Sequence, residues 1–140
     1  MKKIHEDKFK IYYENTDSSG FAYHTAYLSM AERARSNLLN KDFSELTMML
    51  KTNSKFFVVK KIKVDFIKPA KLFDNLDIIT FYTGNSFTSL NLIQTIKKDG
   101  ADISKIDVQL VWIDGIKGKP IKIPRNICLL YTSPSPRDDL

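Results

Sequence analysis

Tyr23-His24-Thr25-Ala26-Tyr27-Leu28-Ser29-Met30-Ala31-Glu32-Arg33-Ala34-Arg35-Ser36-Asn37-Leu38 is the stretch on which the fold turns. Within it Tyr23, Ala26, Tyr27, Met30, Ala34 and Leu38 recur at steps of three and four, the spacing that stacks side chains along one side of an α-helix. Glu32, Arg33, Arg35 and Ser36 fall mostly on other faces. The stripe mixes small alanines with large aromatics, so a helix here can approach an apolar surface closely. The spacing predicts one long helix packed against a sheet.

Upstream, Phe9 to Tyr13 is apolar and aromatic and suits a short strand, and Glu14 to Gly20 is a polar loop closed by glycine. Downstream, a second short helix is expected from Ser44 to Leu50, with Ser44 as its cap. After Asn53 the period drops to two. Phe56, Val58, Ile62, Val64 and Phe66 alternate, with an interruption at Lys60, as far as Pro69. Leu76, Ile78, Thr80 and Tyr82 follow, then Leu90, Leu92 and Ile96, then Ile106, Val108, Leu110 and Trp112. Lys98-Asp99-Gly100 reads as a hairpin turn. One strand, a helix and four antiparallel strands give an α+β domain: a curved sheet wrapped around one long central helix.

The 140 residues form one domain, large enough to fold without disulfide or metal. The net charge of +6 comes from lysines spread along the chain. That distribution argues against a nucleic-acid arm and suits anionic ligands. Met1 to Asp7 lacks the apolar stretch of an export signal, no window reaches the roughly eighteen apolar residues of a membrane helix, and the expected compartment is the cytoplasm. Cys128 is the only cysteine, which excludes an internal disulfide and a thiolate metal cluster. Cys128 to Asp138 is rich in Ser and Pro, unlike the Ile-, Lys- and Asn-rich chain before it, and resembles the translation of a sequencing adapter read through at the end of a metagenomic fragment. The expected division is a domain over 1–127 and a non-native tail over 128–140.

The chemistry is densest from Tyr12 to His24. Asp17 stands in a polar loop just before a helix, whose first N–H groups are unpaired and carry partial positive charge. Such donors can hold a carbonyl oxygen while the carboxylate works on its carbon; residue chemistry alone favours the plainer reading, an aspartate that caps or braces the loop, since Asp before a helix is common. Gly20 permits a tight turn. His24 beside Asp17 invites a dyad, or a hydrogen bond to the loop. His5 lies outside every motif and is expected at the surface.

Tyr13-Glu14-Asn15-Thr16-Asp17-Ser18-Ser19-Gly20-Phe21-Ala22-Tyr23-His24, with Tyr27-Leu28 and Glu32-Arg33-Ala34-Arg35, resembles the signature of the YbgC-type branch of the 4-hydroxybenzoyl-CoA thioesterase family. Phe57-Val58-Val59-Lys60-Lys61, Phe66-Ile67-Lys68-Pro69-Ala70 and Thr88-Ser89-Leu90 extend the likeness in order. Asn15 departs from the Asp of many members, which removes a negative charge near Asp17. The resemblance implies a hotdog fold, assembled as a homodimer or homotetramer with acyl-CoA bound between subunits. It implies hydrolysis of an acyl-CoA to a carboxylic acid and free CoA, with no metal or cofactor. Asp17 takes the place of the catalytic carboxylate, as nucleophile or as base toward water. Tyr23 and His24 join it, the backbone N–H near His24 polarising the thioester carbonyl. Gly20, Tyr27, Thr88 and Ser89 are the substrate-binding candidates, with Lys60 and Lys61 for the phosphates of CoA; ordinary strand polarity explains Thr88 and Ser89 equally well, and surface solvation explains the two lysines better. Two other readings stand beside this one: a thioesterase acting on an acyl carrier protein, and a hotdog subunit that binds acyl-CoA or a protein without turnover. Relatives tied to the Tol–Pal envelope system imply a partner at the inner membrane surface.

Overall fold

The computed structural model describes residues 1–45, 48 and 54–132. In chain order the elements are β1 (Lys2–Lys10), a 3-10 turn (Tyr13–Asn15), α1 (His24–Asp42), β2 (Lys55–Phe66), β3 (Asn75–Asn85), β4 (Ser89–Lys98), β5 (Ala101–Asp114), β6 (Lys119–Pro120) and α2 (Arg125–Thr132). The strands make one antiparallel sheet in the order β1-β3-β4-β5-β2, with β6 paired to the end of β5. This is the expected class, a largely antiparallel sheet with a helix laid on one face. The 3-10 turn and α2 are helical pieces beyond the long helix and the short one over 44–50 that the sequence predicts. Much of the short helix expected over 44–50 lies outside the described residues.

The apolar stripe does what its spacing dictates. Ala26, Tyr27, Met30, Ala34 and Leu38 are buried, joined by Ala31. They meet Leu76 and Ile78 of β3, Leu90, Leu92 and Ile96 of β4, and Ile106, Val108, Leu110 and Trp112 of β5. Tyr23 instead caps the helix from outside and is half exposed. Arg35, read as lying on another face, is 7% exposed and extends under the helix. Its Nη1 donates to Gln94 Oε1 at 2.8 Å, and Gln94 Nε2 donates to Ala31 O at 3.0 Å and Thr80 Oγ1 at 3.1 Å. Burial holds the Arg35 guanidinium below its ordinary pKa, against the opposing pull of Glu32.

Two strands differ from the sequence reading for physical reasons. β1 runs from Lys2 to Lys10 rather than from Phe9 to Tyr13. It is an edge strand, and its lysines give it the charged character that keeps edges from aggregating. Its inward side carries His5 and Asp7 between the apolar Ile4 and Phe9, which pack against the core. His5, expected at the surface, is 8% exposed; its Nε2 lies 2.9 Å from Asp7 Oδ2, which also accepts from Asn37 Nδ2 on α1 at 3.0 Å. In β2 the interruption at Lys60 is a β-bulge: Val59 faces Leu110 and Lys61 faces Gln109, leaving Lys60 unpaired. One extra residue flips the pleat. Phe57 therefore joins Trp112 in the core while Ile62 and Val64 take the inward face beyond the bulge, and Phe56 and Val58 turn outward. The β4–β5 turn is as read, with Asp99 (φ 50°) and Gly100 (φ 81°) both left-handed.

The division at residue 127 falls inside α2, which spans Arg125–Thr132. Ile127 and Tyr131 both enter the core, where the Tyr131 ring lies 5.5 Å from Phe43 and 5.8 Å from Tyr82. Burial and the neighbouring Asp42 carboxylate push the Tyr131 hydroxyl far above the ordinary phenol range. Residues 133–140 are outside the described part. No helix of the described residues is long and apolar enough to cross a membrane.

Candidate active site

The polar loop before α1 is a short hairpin stitched to the segment after β2. Asp17 N–H donates to Phe21 O at 2.9 Å and Gly20 N–H to Asp17 O at 3.1 Å. Ala22 N–H donates to Ala70 O and Leu72 N–H to Gly20 O, each at 2.9 Å, so residues 20–22 pair with 70–72. Gly20 sits at φ 83°, a left-handed turn, yet a Cβ there would meet nothing within 4 Å. Its role is conformational, and the close approach to a ligand is a separate matter. Tyr23 N–H donates to Asn15 O at 2.9 Å, which feeds the loop into α1, and Asn15 Oδ1 accepts from Tyr12 N–H. Asn15, the departure from the family pattern, is thus a loop brace.

Asp17 is exposed, and its carboxylate is asymmetric in its bonds. Oδ1 accepts from Ser19 N–H at 2.9 Å, from the Ser19 hydroxyl, and from Phe21 N–H at 3.3 Å. These donors hold its pKa below the ordinary aspartate value, the Ser19 hydroxyl first among them. Asp17 therefore does brace its loop, through one oxygen. Asp17 borders a cleft of about 300 Å³ walled by His24, Tyr27, Phe66, Ile67 and Pro69.

The wall is aromatic. The His24 ring packs on Phe66 at 4.8 Å between centroids, and Tyr27 meets the same ring edge-on at 5.5 Å. Tyr27 Oη accepts from Ala70 N–H at 2.9 Å, which fixes it against the loop. Among the described residues no hydrogen bond joins His24 to Asp17, so the two share a cleft without forming a dyad. The backbone N–H groups of His24 and Thr25 open α1 and donate to none of the described residues, as expected for a helix start.

Asp17, Gly20, His24 and Tyr27 are thus gathered at one pole, with Tyr23 beside them. Thr88, Ser89, Lys60 and Lys61 are not. Lys60, Thr88 and Ser89 border a second cavity of about 470 Å³ near the start of β2 and β4, and Lys61 borders a third on the helix-free face of the sheet. Ser89 is buried, its hydroxyl 2.5 Å from that of Ser86. Within one chain these residues and Asp17 lie toward opposite ends of β2. Two contributors escaped the sequence reading. Ser19 was legible in the Asp-x-Ser spacing, which favours a side-chain to backbone turn. Phe66 was legible only as a strand residue, since its meeting with His24 is tertiary.

β2 is a twelve-residue strand at an open sheet edge. It carries exposed apolar side chains at Val59, Ile62 and Phe66, with Ile67 just beyond.

The chain is similar to known proteins over most of its length. The family model of the thioesterase-like superfamily matches residues 12–129. An acyl-CoA thioester hydrolase YbgC of Escherichia coli is 36% identical over 120 residues, covering 84% of this chain and 88% of that protein. An acyl-CoA thioesterase YbgC of Haemophilus influenzae is 32% identical over 119 residues, covering 84% and 87% respectively. Among solved structures, a probable thioesterase from Bartonella henselae superposes with a TM-score of 0.75 at 27% identity, covering 86% of this chain and 98% of that one.

Proposed function

This chain belongs to the thioesterase-like superfamily, in its YbgC-type branch, and from that premise we propose that it hydrolyses an acyl-CoA thioester to a carboxylic acid and free CoA at the Asp17 cleft. The observation that carries the reading is a carboxylate tied in its loop through one oxygen alone among the described residues, in a cleft shared with His24 at the N-terminus of α1.

In this mechanism the thioester carbonyl oxygen sits on the N–H groups that open α1, around His24. They stabilise the charge that grows there as the carbonyl carbon becomes tetrahedral. Asp17 acts in one of two ways. As nucleophile, Oδ2 attacks the carbonyl carbon, the C–S bond breaks, CoA leaves as thiolate, and water cleaves the resulting anhydride to the acid and free Asp17. As base, Asp17 takes a proton from the water that attacks the same carbon, and the thiolate leaves with its electron pair. His24 and Tyr27, both packed against Phe66, hold the acyl group and orient it; Tyr23 shields the helix start. Gly20 sets the turn.

The remaining binding residues come from a second copy. The open β2 edge, with its exposed apolar side chains, supports pairing of two chains edge to edge. An antiparallel pairing along β2 carries one chain's Thr88, Ser89, Lys60 and Lys61 toward its partner's cleft. There the lysines meet the phosphates of CoA and the hydroxyls approach the thioester. The proposed compartment is the cytoplasm.

The test is a thiol-release assay over short, long and aromatic acyl-CoAs, with acyl carrier protein thioesters alongside. Asp17→Asn keeps the loop's shape and removes the charge, and should lower turnover by roughly 10³-fold or more. A mutant that turns over like the parent removes Asp17 from the mechanism. Faster release from the carrier-protein thioesters than from any CoA ester would move the assignment to the carrier substrate.

A further inference from the structure

Asp17 has two oxygens and its loop uses one. Among the described residues, the hydrogen bonds to this carboxylate fall on Oδ1: Ser19 N–H at 2.9 Å, the Ser19 hydroxyl, and Phe21 N–H at 3.3 Å. None of the described residues donates to Oδ2. A carboxylate left to itself turns readily about its last torsion, whose wells are broad and two-fold, and so exchanges its oxygens. Donors gathered on one oxygen oppose that rotation. Two of the three are backbone groups that any residue would supply at positions 19 and 21. The hydroxyl is the one contribution that depends on the identity of residue 19.

Resting on the reading of Asp17 as the acting group, we propose that Ser19 is a positioning residue whose hydroxyl holds Oδ1 in the loop and so presents Oδ2 alone to the thioester carbon or to the attacking water. The role differs from general loop stabilisation. Ser19 is exposed and its hydroxyl bonds to Asp17, so losing that hydroxyl should leave the fold intact while loosening the aim of Asp17. Misaim falls on turnover rather than on substrate affinity, because only the reacting geometry is disturbed. The hydroxyl is also the largest influence holding the Asp17 carboxyl below its ordinary pKa. Without it that pKa rises, and a carboxylate that must be ionised to act fails at a higher pH on the acid side.

The experiment measures kcat and KM for thiol release against pH in the full chain, its Ser19→Ala, Ser19→Thr and Asp17→Asn variants, with a thermal melt of each. In Ser19→Ala, kcat should fall about ten-fold near neutral pH with KM within about two-fold of the parent, and the acid limb of kcat should move to higher pH. Ser19→Thr keeps the hydroxyl and should restore both. A Ser19→Ala enzyme with the parent's kcat and acid limb overturns the proposal, as does a loss that Ser19→Thr fails to rescue. If Asp17→Asn is inactive while Ser19→Ala behaves as the parent, only the positioning role falls. If Asp17→Asn stays active, the reading of Asp17 falls first.

Discussion

Gln94 is the sharpest point at which to perturb the fold. It is fully buried on β4 and makes three hydrogen bonds: it accepts from Arg35 Nη1 at 2.8 Å and donates to Ala31 O and Thr80 Oγ1. Gln94→Leu fills nearly the same volume, so its cost is the lost bonds and not a cavity. A bond to a charged group contributes about 1.5–3 kcal/mol and a neutral one about 1 kcal/mol. The three together give about 3–5 kcal/mol, much of it the penalty of a guanidinium left buried without an acceptor. Domains of this kind have only about 5–15 kcal/mol in total. Urea unfolding reads the loss directly, because Trp112 is the single tryptophan and is 2% exposed. With a slope near 2 kcal/mol per molar, the midpoint should fall by about 2 M, at one fixed protein concentration so that assembly does not enter. The double variant Arg35→Met with Gln94→Leu removes both ends and should recover more than half of the loss. A single variant costing less than about 1 kcal/mol would show that Arg35 reaches another acceptor, and the account of the buried network would be wrong.

Two further expectations concern the same packing. Tyr131→Ala removes a ring buried against Phe43 and Tyr82 and should cost about 3 kcal/mol in the same urea experiment; a cost under about 0.5 kcal/mol would show that the chain beyond Ile127 adds nothing to the domain. Deleting Lys60 removes the extra residue of the bulge and leaves Val59 opposite Leu110 and Lys61 opposite Gln109 in a regular ladder, so Phe57, Val59, Ile62 and Val64 keep their faces. The deletion variant should melt cooperatively within a few degrees of the parent under circular dichroism, and loss of the cooperative melt would refute this account of the bulge.

How much was legible follows from which interactions are local. The stripe of α1 and the inward residues of β3, β4 and β5 were readable because burial imposes a period, and the period survives in the sequence. Asp17, Gly20 and His24 were readable as a loop entering a helix. β1 lies upstream of the strand read at Phe9 to Tyr13 because its apolar Ile4 and Phe9 are separated by the inward polar pair His5 and Asp7, which bond to each other and to α1. Arg35 was misjudged for the same reason: its acceptor is 59 residues away, and no window of sequence contains both. The parity switch in β2 was visible as an interruption at Lys60, but its sense required the strand opposite. Phe66 beneath His24 joins strand and helix by a contact that neither segment announces.

That contact ties the local chemistry to the state of assembly. Phe66 is both the ring under His24 and the last residue of a strand held on one side only, by β5. Whatever docks along the free side of β2 therefore grips the wall of the cleft. Specific activity should then depend on protein concentration, falling on dilution even though every chain remains folded, and an assay run far below working concentration would report a slow enzyme where the cell has a fast one.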